Sequence, residues 1–157
     1  MLENIISTIF FIFICLATGF LGSSATLPEI SGWYQTILKP SWNPPAFIFA
    51  PVWTLLYGMM GLAAARIWQK RRQKSVFQPL ALFMLQLFLN GAWSFIFFRF
   101  HLLGFALIEI LMLWTAILLT LKAFREIDRT AAGLLVPYLL WVSFASCLNA
   151  NIWWINR

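Results

Sequence analysis

The residues best suited to hold or react with a ligand in this chain are aromatic, and many of them crowd one stretch. Trp33-Tyr34, Lys39-Pro40-Ser41-Trp42-Asn43-Pro44-Pro45 and Pro51-Val52-Trp53 follow one another almost without interruption. Pro40, Pro44, Pro45 and Pro51 fix φ and remove backbone donors, so the stretch is stiff, and its rings suit either a membrane–water boundary or a bound ligand. Trp141 lies deep in a later apolar run, four residues before Ala145. A deep indole beside a small residue leaves either a gap shaped for a flat apolar molecule or room for a neighbouring helix.

The polar residues inside apolar runs are few. Gln86, Asn90, Trp93 and Phe97 recur at i, i+4, i+7 and i+11, one stripe of a helix. Amides in lipid need partners, so this stripe faces the interior, as interhelical glue or as a polar wall of a site. Glu109 is the only acidic residue deep in a run; it reads as a proton or ligand site, or as a structural partner of Asn90 or Gln86.

Standard catalytic machinery is not written here. The sequence has no phosphate-binding glycine loop, no Ser/His/Asp arrangement and no paired carboxylates. The single histidine, His101, sits in a short turn beside Arg99 and reads as an exposed loop residue, and a metal site has no support. Cys15 and Cys147 both lie in apolar runs, which argues against a disulfide framework.

The elements that position these residues follow from composition. Of 157 residues, 62 % are hydrophobic and 10 % charged, against roughly 25 % charged in soluble domains; mean hydropathy is +0.83. A soluble domain cannot cover its surface with so few charges, whereas a bilayer accepts apolar side chains on every outward face. The chain therefore reads as an all-α, polytopic membrane protein, a single five-helix transmembrane bundle over 1–157. The spans fall at about 4–24, 46–68, 79–98, 102–122 and 131–154, joined first by a loop at about 25–45. Gly22-Ser23-Ser24-Ala25 resembles a signal-peptide end, but Glu3 is the only charge before a run long enough to span, so the first helix is expected to stay.

Pro137 is expected to kink the last span. Trp68, Trp153 and Trp154 suit interfacial anchors, and Gly19, Ser23, Gly58, Gly61 and Ala65 permit close helix approach. Eight Lys and Arg, from Arg66 to Lys74 and from Lys122 to Arg129, share one side with the N-terminus, against three, Lys39, Arg99 and Arg157, on the other. In a bacterial cell membrane this puts the N-terminus in the cytoplasm and the C-terminus outside. The net charge of +6 is thus a matter of topology, and no nucleic-acid partner is indicated.

These blocks resemble one family along essentially the whole chain. Trp33-Tyr34, Lys39 to Pro45, Pro51-Val52-Trp53-Thr54-Leu55-Leu56-Tyr57, Gln86-Leu87-Phe88-Leu89-Asn90 with Trp93, and Pro137-Tyr138-Leu139-Leu140-Trp141 with Phe144-Ala145 and Leu148-Asn149 are similar, in the same order, to the translocator protein or tryptophan-rich sensory protein family, also known as the peripheral benzodiazepine receptor family. The resemblance implies a five-helix bundle, commonly a homodimer. Its pocket would lie beneath the first loop and accept porphyrins such as protoporphyrin IX, sterols and benzodiazepine-type ligands, with no cofactor. On matching positions the pocket residues are Ala50, Trp53, Asn90, Trp141, Ala145 and Leu148, with Trp42 and Pro45 shaping the loop as a lid. Some bacterial members are reported to degrade protoporphyrin in light, which would give Trp53 and Trp141 a catalytic role; an indole stacks on a macrocycle and can donate an electron to it.

Two departures stand out. From Leu148 to Arg157 there is no tyrosine, so the sterol motif of animal members is incomplete. Ala81 is followed four residues later by Leu85, where bacterial dimers pack small residues. The leading expectation is a membrane receptor or sensor for a flat apolar tetrapyrrole, acting in porphyrin handling or stress regulation. The alternatives are a light- and oxygen-dependent porphyrin-degrading enzyme and a porphyrin or sterol transporter, for which Glu109 is the one candidate coupling residue.

Overall fold

A computed structural model describes all 157 residues. Leu2–Ile30 form α1, Trp33–Thr36 the short α2, Phe49–Gln69 α3, Phe77–Ser94 α4, Leu103–Ile127 α5 and Arg129–Ile155 α6. A 3-10 turn, Ala46–Ile48, leads into α3, and a π-helical turn, Phe95–Arg99, prolongs α4. Five helices are long and apolar enough to cross a membrane and there are no strands; the chain is an all-α, multi-pass integral membrane protein. Helices solve the problem lipid poses, since no water is at hand for a free N–H or C=O: 105 of the 123 backbone hydrogen bonds lie inside helices.

The helices close into a ring in the order α1, α3, α6, α5, α4. Each presents a stripe to the axis, such as Ala106, Glu109, Ile110, Leu113, Ala116 and Ile117 on α5. Large residues such as Phe13, Phe20, Leu55, Phe88, Phe105 and Leu140 point outward, where lipid replaces protein. The α1–α3 contact depends on Gly61, where a Cβ would come within 2.5 Å of the Ile12 backbone. At one end Arg71 lies over Trp68, and at the other Arg157 lies over Trp154, indoles and cations together as at a headgroup layer.

The first helix runs farther than expected. The span is expected to end at about 24, but the hydroxyls of Ser23, Ser24 and Thr26 bond back to the carbonyls of Phe20, Leu21 and Gly22. They are satisfied within the helix, so α1 continues through Pro28 to Ile30 and the first loop shrinks to 31–45. Likewise α5 continues past Lys122 to Ile127, where Asp128 caps the next helix.

Asp128 accepts the Ala131 N–H at 3.0 Å and the Arg66 guanidinium at 2.8 Å. Burial opposes its charge, but the Ala131 N–H, the bond and charge of Arg66, and the Thr130 N–H outweigh it and hold the carboxyl below its ordinary value. A lowered folded value gives stabilisation that is complete above the ordinary carboxylate range and is lost as pH falls through the folded value. Asp128→Ala is expected to cost about 1 kcal/mol at neutral pH. Unfolding curves in detergent should show the gap between variant and parent closing as the solution is acidified.

Candidate functional site

Asn90 sits at the centre of the bundle, buried, with both ends of its amide in use. Tyr57 of α3 donates its hydroxyl to Asn90 Oδ1 at 2.5 Å, and Asn90 Nδ2 donates to the Tyr138 hydroxyl of α6 at 3.1 Å. Trp53, half-buried, stacks on Tyr57 with ring centroids 5.4 Å apart and meets Tyr138 edge-on at 6.2 Å. Three helices are thus joined by one amide and two phenols, with an indole laid against them. Tyr57 fits because α1 has Gly19 opposite, where any side chain would strike its ring.

A second aromatic group follows the seam between α3 and α6. Trp141 is half-buried between Phe49, 5.9 Å away, and Phe144, 5.6 Å away. With Val52, Leu55, Leu56, Pro137, Leu140 and Phe144 it lines a groove of about 400 Å³. Leu55 and Leu140 are exposed, so the groove opens sideways on the face that meets lipid. Trp42 of the first loop packs edge-on against Phe144 at 5.8 Å and stands over one end of the groove.

The residues expected to form one pocket therefore divide. Trp53 and Asn90 belong to the axial tyrosine group, and Trp42 and Trp141 to the seam. Trp53, Trp141 and Ala145 all pack on the main core, and the two groups share the packed helices α3 and α6. Leu148 is buried in a separate cluster with Phe97, Ala106 and Ile152, beneath Trp33, Tyr34 and Ile37. Pro45 and Ala50 are exposed.

The first loop is fastened at several points. His101, expected as an exposed loop histidine, stacks on Trp33 with centroids 4.0 Å apart and planes 14° from parallel, and its Nε2 lies 3.1 Å from Glu29 Oε2. It adopts φ 57°, a left-handed conformation in which histidine is enriched among side-chain-bearing residues. Leu38 bonds Asn156 through both backbone groups, each at 2.9 Å. Lys39 ties the loop to itself, donating to the Tyr34 and Ile37 carbonyls at 2.6 and 3.0 Å. Burial pushes the Tyr34 hydroxyl above its ordinary value, partly offset by its bond to Asn43, so it remains a donor to Asn43 through the neutral range.

Two expected partnerships are absent. Glu109 bonds neither Asn90 nor Gln86, and all four side-chain polar atoms of Glu109 and Gln86 are buried without a partner. No group of three or more His, Cys, Asp or Glu side chains gathers to hold a metal. Sequence reading missed Tyr138, Phe49 and Phe144 as wall residues; a phenol in a span, which must find a partner for its hydroxyl, was the available signal for Tyr138.

A sequence model of the TspO/MBR family matches residues 11–155. The chain is 46 % identical over 147 residues to the tryptophan-rich protein TspO of Chlorobaculum tepidum, covering 91 % of each chain. It is 39 % identical over 141 residues to the human translocator protein, covering 88 % of this chain and 83 % of the relative. It is 35 % identical over 140 residues to the tryptophan-rich sensory protein of Cereibacter sphaeroides, covering 89 % and 87 %.

The His101 fastening can be tested without a ligand. His101→Ala removes the stack on Trp33 and the bond to Glu29 together. Backbone amides in 33–45 are then expected to exchange hydrogen roughly tenfold faster while those of α3 and α6 keep their protection. Equal exchange in both proteins would mean that Asn156 and Lys39 hold the loop alone.

Proposed function

We propose that this chain, which belongs to the TspO/MBR family, is a membrane receptor that takes a flat apolar tetrapyrrole of the protoporphyrin IX type against Trp53 and Trp141, with the 31–45 loop as its lid. The observation that carries this reading is the pair of half-buried indoles on the packed helices α3 and α6. Trp53 is backed by Tyr57 and Tyr138, and Trp141 by Phe49 and Phe144. Indoles held by their neighbours but not fully covered keep aromatic surface for a further ring, and stacking adds to area burial by about 0.5–1.5 kcal/mol per pair. The apolar seam between α3 and α6 supplies a route from the bilayer, where such a ligand concentrates.

Orientation follows from charge. Arg66 pairs with Asp128, Arg71 and Arg72 with Glu3, and Lys74 donates to the Glu126 carbonyl, so these cations share one end of the bundle. The positive-inside rule puts that end in the cytoplasm and the 31–45 loop outside. A sensory role in porphyrin handling suits a site with a lid.

Titration of the purified protein with protoporphyrin IX is expected to quench tryptophan fluorescence and perturb the porphyrin absorbance. Trp53→Phe and Trp141→Phe should each weaken binding by a few-fold to roughly tenfold, read from the porphyrin side. Wild-type affinity in the double variant would remove both indoles from the site. For the topology, an alkaline phosphatase fusion after Arg157 should be active and a fusion in the 70–76 loop inactive; the opposite pattern would invert the orientation.

A further inference from the structure

Asn90 already commits one bond at each end of its amide to Tyr57 and Tyr138. Most other polar side chains within the spans are likewise engaged. Trp93 donates to Asn149, which donates to the Leu103 carbonyl; Trp114 donates to Ser143; Thr120 and Ser146 bond back along their own helices. Gln86 and Glu109 alone are buried, at 1 % and 4 % exposure, with polar atoms that touch no partner. In lipid no bulk water is available to complete them, so their burial is unfavourable in the empty bundle.

Their position links them to the site. On α5, Glu109 lies between Leu103, whose carbonyl meets Asn149, and Trp114, whose indole meets Ser143. In height this is the stretch of α6 between Ser143 and Asn149, which includes Ala145 and Ser146 and begins two residues past Trp141. Gln86 is one helical turn below Asn90 on the same buried stripe of α4, which packs directly on α5.

We propose that Glu109 and Gln86 are the specificity-determining polar pair of this site, and that its ligand is a flat apolar molecule bearing at least one N–H or O–H donor. The inference rests on the receptor reading above. Glu109 offers acceptor oxygens and Gln86 offers both an acceptor and donors. A ligand with a donor at this level completes groups that the bundle alone leaves unpaired. An isosteric hydrocarbon does not, so the pair discriminates between ligands as well as holding them.

Glu109→Leu separates this role from a structural one, because the two move stability and affinity differently. The ligand-free variant is expected to unfold at a higher temperature in detergent, having lost an unpartnered carboxyl, while protoporphyrin IX binds roughly tenfold more weakly. Gln86→Leu should behave in the same sense. Affinity equal to the parent, or a fall in stability together with affinity, overturns the proposal.

Two probes then locate the donor. Zinc protoporphyrin lacks the ring N–H groups, and the dimethyl ester lacks the carboxyl O–H groups. At least one of the two should bind the parent and Glu109→Leu alike; the same penalty on both overturns the proposal. If the unchanged chain binds none of the three pigments, the tetrapyrrole reading itself falls and this inference with it. A loss of discrimination confined to the variants leaves that reading standing.

Discussion

The amide of Asn90 is the point on which the interior turns. In a bilayer a buried polar group finds its partner within the protein or goes without, and Asn90 finds two, one on each of two other helices. This fixes the rotation of α3, α4 and α6 about their own axes, since a turn of any one would withdraw its side chain from the chain of bonds. The neighbouring helices conform: α1 presents Gly19 to the Tyr57 ring and leaves Gly61 of α3 to meet its own backbone at Ile12. Small residues here are shaped by a phenol as much as by helix packing in general.

The same bonds shape what the site can offer. Tyr57 and Tyr138 are held by Asn90 and hold Trp53 in turn, so one wall is rigid and polar behind an apolar front. The seam around Trp141 is different, being built of apolar contacts alone and open toward lipid. A rigid wall and an open seam on the same two helices suit the proposed receptor role, in which a guest arrives through the membrane and is then oriented. That pattern is in keeping with the sensory and translocator names of relatives in the TspO/MBR family.

Much of the fold was legible because lipid removes alternatives. Gln86, Asn90 and Phe97 could point only inward, and each is buried. The end of α1 was misjudged because serine and threonine signal a break in water, whereas in a span their hydroxyls bond back to the helix. Within the site, the resemblance put Ala145 and Leu148 in one pocket but could not show that the level changes between them. Phe49 at the head of α3 meets Trp141, so beyond that height α6 faces the loop, and Leu148 joins the cluster under Trp33. The role of His101 was invisible, because a left-handed backbone and a stack on a distant indole leave no trace in spacing. For Glu109 the sequence left two readings, a proton or ligand site and a structural partner of Asn90 or Gln86, and its oxygens meet neither amide.

The π-helical turn at the end of α4 places one residue more in a turn than an α-helix would. Each residue of an α-helix advances about 100° around the axis, so the surplus swings everything after it by that amount relative to the stripe below. It brings Phe97 and Phe98 both onto Trp93, at 4.9 and 5.9 Å, and delivers His101 to Glu29 and Trp33. The fastening of the loop is therefore a matter of angular phase. One extra residue in the turn lets α4 keep its amides pointed at the core while its far end turns to face the loop.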